Sequence, residues 1–200
     1  MRKLPILLIY SRIIIGIMIG LITFFKVENL STWIVMLMSV GLVTDIFDGI
    51  IARKLNVSTE KLRVMDSNVD QIFWLIVIGS IFYINIYFVI ENIIWLSLII
   101  FLELLCYISS YKKFRRSIAT HAIASKIWTL SLLVFLVDLT LNSTSDSIFV
   151  VCLVLGILSR IEIFLIILRL NEWTADVPSI LVVSKINQGI PVKKSKLFNG

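Results

Sequence analysis

The stretch TDIFDGIIARKLNVSTEKLRVMDSNVDQ, residues 44–71, sets four aspartates and a short basic segment between two long apolar runs. Asp45 and Asp48 are three residues apart, and Asp66 and Asp70 are four apart, so each pair shares one face of a helix. The first pair closes the apolar run Thr32–Ile51 and the second opens the run Val69–Ile90. The segment between them carries Arg53, Lys54, Lys61 and Arg63 and is short, which makes the two helices antiparallel neighbours. Four acids then converge near one membrane interface.

Outward from this stretch the chain is just as apolar. Of its 200 residues, 58% are hydrophobic and 16% charged. Soluble domains run at roughly half apolar and a quarter charged, and a sphere of this size has too little interior to hide the excess. An ordinary cytosolic domain, a disordered chain and a secreted disulfide scaffold are excluded. A membrane helix needs about 20 mostly apolar residues. Besides the two runs above, Leu4–Phe25, Asn92–Ile108, Ala119–Leu141 and Asp146–Leu170 meet that requirement. Leu4–Phe25 is too long and uninterrupted for the core of a signal peptide. No strand-like alternation is sustained, which excludes a barrel. The expected fold is an all-α integral membrane protein, a bundle of about six transmembrane helices in one domain over residues 1–200. Residues 171–200 are less apolar, and Ile180–Ile186 is too short to span, so this tail reads as interfacial or loosely ordered.

Charge gives the orientation. The net charge is +6, which in a membrane protein reads as topology and not as a nucleic-acid surface. Arg2 and Lys3, the loop Arg53–Arg63, the group Lys112, Lys113, Arg115 and Arg116, and the tail lysines Lys185, Lys193, Lys194 and Lys196 alternate with loops whose only base is Lys26. All the basic segments and both termini fall on one side, the cytoplasmic one. Cys106 and Cys152 lie in apolar runs without a CxxC spacing and read as small buried hydrophobes.

Ionised carboxylates at membrane depth cost a few kcal/mol each, and four together repel one another. Something positive must compensate. Oxygen-only ligands suit Mg²⁺, Mn²⁺ or Ca²⁺, and two such ions suit displacement at phosphorus. Gly49 and Ala52 are small enough for a ligand or a helix to approach the backbone. Arg53 could clamp a phosphate, but taken singly it reads first as a base at the membrane edge, as Gly49 taken singly reads first as packing.

Taken together, Asp45, Asp48, Gly49, Ala52, Arg53, Asp66 and Asp70 resemble the signature D-x2-D-G-x2-A-R-x8-G-x3-D-x3-D of the CDP-alcohol phosphatidyltransferases. The match spans residues 45–70, and its one departure is Leu62, where the family has Gly. The resemblance implies transfer of a phosphatidyl or similar phospho-alcohol group from a CDP-linked lipid donor to a small alcohol acceptor, with release of CMP. It implies two Mg²⁺ or Mn²⁺ ions on Asp45, Asp48, Asp66 and Asp70, with Asp70 also the general base. It assigns Gly49, Ala52 and Arg53 to the CDP donor, with Thr59 where related enzymes carry a donor-contacting Ser or Thr. It further implies a homodimer in a lipid bilayer, here a bacterial inner membrane, with the active site facing the cytoplasm. Leu62 would narrow the pocket without removing a reacting group.

Other residues fit less fully. Pro5 and Arg12 match a P-N-x-x-T-x-x-R opening of relatives, in which Ile6 and Ile9 replace the polar pair. Arg12 needs a partner or a polar cavity, and both a site role and a structural ion pair stay open. Lys126 and Thr129 are similar to part of a G-K-x-K-T stretch of relatives with a phosphorylated acceptor. Glu103, Asp138, Arg160 and Glu162 each need a partner on another span or a polar cavity, and His121 has no visible catalytic companion. Two rival functions remain: a cation transporter using the acids as an ion site, and an inactive membrane paralogue.

Overall fold

A computed structural model describes residues 4–55, 60–116, 122–174 and 177–190, with 53, 60, 61, 63, 64 and 67 described through their backbone. The elements are α1 (Leu4–Phe24), α2 (Leu30–Lys54), α3 (Glu60–Ile84), α4 (Ile86–Glu91), α5 (Ile93–Phe114), α6 (Ile123–Asn142), α7 (Asp146–Arg169), a 3₁₀ turn (Ile180–Val182) and α8 (Val183–Asn187). No strand occurs among the described residues. The protein is an all-α membrane protein. Among the described residues, five helical stretches are long and apolar enough to cross a bilayer: Leu4–Phe24, Leu30–Ala52, Ile93–Phe114, Ile123–Asn142 and Asp146–Arg169. A sixth apolar stretch, Asn68–Ile84, is shorter.

The third expected span, Val69–Ile90, differs in both its limits. α3 begins at Glu60, because Glu, Lys, Leu, Arg and Met are good helix formers whether or not they are apolar. It ends at Ile84, and α4 follows after a break at Asn85. The Asn85 side chain donates to the Ile81 carbonyl at 3.0 Å, and its backbone N–H reaches the same oxygen at 3.1 Å. An Asn that bonds to local backbone in this way competes with helix continuation.

Contacts divide the chain into two compact units, Met1–Phe88 with Leu136–Ser143, and Val89–Phe135 with Thr144–Gly200. In the first unit α1 lies against both α2 and α3. Its buried stripe, Pro5, Ile9, Arg12, Ile15, Gly16, Ile19 and Thr23, recurs every three to four residues. Its other face, with Leu7, Ile14 and Leu21, is exposed and apolar, as a lipid-facing surface requires. Gly16 on α1 and Gly41 on α2 both receive Phe73 of α3. A Cβ at Gly16 would lie 3.4 Å from the Phe73 ring, and one at Gly41 would overlap it. Small residues thus let three backbones close on one aromatic knob. Met38, Val77 and Ile19, all fully buried, stand a further turn along the same helices.

In the second unit α5 packs on α7. Gly156 makes room there: a Cβ on it would lie 2.7 Å from Trp128 Nε1 and 2.9 Å from Ile99 Cδ1. The segment 177–190, expected to be interfacial or loosely ordered, is docked. Val177 and Val183 join Cys106, Ala122, Ile163, Ile166, Ile167 and Leu170 in one buried cluster. Polar bonds fix the same segment. The Ile180 N–H donates to Glu162 Oε1 at 3.2 Å, and Asn187 Nδ2 donates to the Arg169 carbonyl at 2.8 Å. Lys113 Nζ closes the end of α7 by donating to the carbonyls of Ile167 and Leu168, where a cation also meets the negative end of the helix dipole.

Candidate functional site

The four motif aspartates belong to the first unit, and a residue of α1 gathers them. Arg12 is fully buried in a helix that is otherwise apolar around it. Its Nη1 donates to Asp45 Oδ1 at 2.7 Å and to Asp70 Oδ1. Its Nη2 donates to Asp48 Oδ2 at 2.5 Å and to Asp66 Oδ1. A guanidinium carries five N–H donors in a fixed planar fork. Here its four Nη hydrogens serve four different carboxylates. Nη1 takes the outer pair of the motif and Nη2 the inner pair. The fifth donor, Nε, finds no partner among the described residues.

Local sequence explains the convergence. The three-residue spacing on α2 and the four-residue spacing on α3 point each pair to one side. The Gly16–Phe73–Gly41 packing lies one turn from Arg12, Asp70 and Asp45 respectively. It therefore fixes the rotation of all three helices just beneath the acids. Asp48 is the innermost acid, with 3% of its side chain exposed, while Asp45, Asp66 and Asp70 keep 38%, 32% and 29%. Those three form the more open side of the cluster.

The arrangement fits a cation. Asp45, Asp48 and Asp66 each offer an oxygen, and these oxygens lie within 4.8 Å of one another. In the described contacts four carboxylates face one guanidinium, which leaves most of their charge uncompensated. An all-oxygen set with surplus negative charge suits a hard divalent ion. Asp70 joins this trio through Arg12.

The other expected site residues divide. Gly49 and Ala52 continue α2 beyond Asp48, Gly49 half-buried and Ala52 buried. The Arg53 side chain and all of Thr59 lie outside the described residues, as does His121. Leu62 is half-buried in the first turn of α3. The residue that sequence reasoning left undecided is Arg12. Its signal was a lone base inside an apolar span, and its partners turn out to be the motif itself.

The second unit settles the remaining charges. Arg160 Nη1 pairs with Glu103 Oε2 at 2.6 Å, and its guanidinium lies 4.5 Å from the centre of the Trp128 ring. A stacked, ion-paired Arg is well held in a low-dielectric setting. Glu162 serves the 3₁₀ turn, while in the first unit Asp138 accepts from Asn142 Nδ2 at 2.7 Å. Thr129 donates to the Ser125 carbonyl one turn back in α6. Arg116 stacks at 4.9 Å on Trp173.

No curated protein and no solved structure matches the chain. A family model described as CDP-alcohol phosphatidyltransferase matches residues 2–159, a span that contains Arg12 and all four aspartates. With that match over well more than half its length, the chain belongs to the CDP-alcohol phosphatidyltransferase family, membrane phosphotransferases of phospholipid biosynthesis that depend on a metal and use a CDP-linked donor and an alcohol acceptor.

Proposed function

We propose that the protein transfers a phosphatidyl group from CDP-diacylglycerol to a small alcohol and releases CMP. The observation that carries this reading is the meeting of Asp45, Asp48 and Asp66, drawn from both halves of the motif, with their oxygens within 4.8 Å. Asp45, Asp48, Asp66 and Asp70 are the proposed ligands of two Mg²⁺ or Mn²⁺ ions, which when bound supply positive charge to the donor pyrophosphate and the leaving CMP. Asp70, partly exposed at the edge of the cluster, takes the proton of the acceptor hydroxyl. The acceptor oxygen then bonds to the phosphatidyl phosphorus, and the bond from that phosphorus to the CMP oxygen breaks with its electron pair leaving on CMP. Gly49, Ala52, Arg53 and Thr59 hold the donor, the small pair by leaving backbone accessible and Arg53 by its charge.

This reading includes a single membrane domain with six crossings, the third being Asn68–Ile84 with the helix beyond it. It places both termini and the site on the cytoplasmic side of a bacterial inner membrane, which the alternation of basic and non-basic loops supports. It also includes a homodimer.

The test is CMP release from CDP-diacylglycerol by the purified protein with Mg²⁺ or Mn²⁺, across a panel of acceptor alcohols. Release that depends on one acceptor, and that a chelator abolishes, is the expected result. Silence across the panel together with no binding of metal or CDP-diacylglycerol would overturn the reading in favour of a transporter or an inactive paralogue.

A further inference from the structure

Arg12 poses a question that the proposed chemistry does not answer. A fully buried guanidinium holds one oxygen of each of the four acids. Three of those acids also form the group whose oxygens lie close enough for a metal. The same carboxylates cannot be fully committed to both cations. Two observations bear on what the side chain does. Its Nε is buried without a partner among the described residues, so the described bonds of its side chain all come from the Nη fork. Its four bonds go to four carboxylates on two other helices, and three of those four would be disturbed by an ion entering the cluster.

We propose that Arg12 is a resident counter-cation of the acid cluster, which competes with divalent metal for the four carboxylates and thereby sets the metal affinity of the site. Without metal, the guanidinium keeps α2 and α3 from being driven apart by like charge. With metal, it yields part of its fork. Arg12 is then a positioning residue: it acts on the reaction through the acids. The proposal rests on the metal-dependent reading above.

The experiment measures Mn²⁺ binding to the full-length, detergent-purified protein from the loss of the free-ion EPR signal. Thermal unfolding is followed in parallel in EDTA and in Mn²⁺. Wild type is compared with Arg12→Gln, which removes the charge, and Arg12→Lys, which keeps the charge but replaces the planar fork with a point donor. The expected result is tighter Mn²⁺ binding in Arg12→Gln by about tenfold or more, with Arg12→Lys between it and wild type. Arg12→Gln should also melt earlier than wild type in EDTA and recover in Mn²⁺. Recovery in Mn²⁺ of a variant that does not fold in EDTA supports the same conclusion. Equal or weaker Mn²⁺ binding in both variants overturns the proposal, and so does failure of both to fold in either condition, since Arg12 would then be a support that metal does not replace. Absence of Mn²⁺ binding by wild type overturns the metal-dependent reading itself, which separates the two failures.

Discussion

Asp48 and Asp70 differ in depth, and the roles proposed for them differ accordingly. Asp48 is buried and bonded to Nη2 among the three acids proposed to hold metal, whereas Asp70 is partly exposed and reaches them through Arg12. Asp48→Asn should therefore abolish Mn²⁺ binding and CMP release together. Asp70→Asn should lower kcat by about 10²–10⁴, the usual contribution of a general base, while Mn²⁺ still binds to Asp45, Asp48 and Asp66. A titration of Mn²⁺ beside a single-turnover assay separates these outcomes. Loss of metal binding in both variants would mean that the site cannot hold metal without Asp70, and that its part as a ligand is not separable from its part as the base. At this scale the motif spacing was informative, because four acids at helical intervals can only point two ways. The counter-cation was not legible, because Arg12 is far from the motif in sequence and only the packing of α1 between its two neighbours brings it in.

Among the helices, the decisive contact is the Phe73 ring between Gly16 and Gly41. A larger residue at Gly41 forces the ring out of place, and overpacking of this kind costs about 1–3 kcal/mol. Gly41→Val should lower the unfolding midpoint. Phe73→Leu in the same chain should restore part of the loss, with a coupling of about 0.5–3 kcal/mol in a double-mutant cycle. Additive effects would show that the two positions do not share the packing described. Because this knob lies one turn beneath the acids, Gly41→Val should also weaken Mn²⁺ binding although it removes no ligand. Apolar runs in the sequence located the helices but not their limits. Glu60–Asn68 is helical without being apolar, and Asn85 breaks a run that looked continuous. The docking of Val177 and Val183 was hidden for another reason: the segment that holds them is too short to show a helical period, and their burial depends on partners on α5 and α7.

For the whole molecule, the arrangement of loops is the testable property. A cysteine replacing Glu28, in the loop between α1 and α2, should react with a membrane-impermeant maleimide added outside intact cells. One replacing Lys112, at the end of α5, should react only after the membrane is opened. Both native cysteines are buried, so they contribute little background. Labelling of both positions from outside would overturn the proposed orientation. The expectation at this level comes from the sequence alone, because a positive-inside bias is carried by basic residues in every second loop and needs no tertiary information.

The pairing of one Arg with four acids on later helices also bears on how the chain enters the bilayer. Synthesis delivers α1 first, with Arg12 bare, and a base near mid-span opposes insertion by up to about 3 kcal/mol. The acids that neutralise it arrive on α2 and α3. Each of the three helices is therefore a poor passenger by itself, and together they reduce one another's penalty. An α1 segment carried alone through an insertion assay should enter less often than its Arg12→Leu form, and the advantage of that form should vanish once α2 and α3 are appended. The smallest piece of this protein that the membrane accepts readily is then the trio.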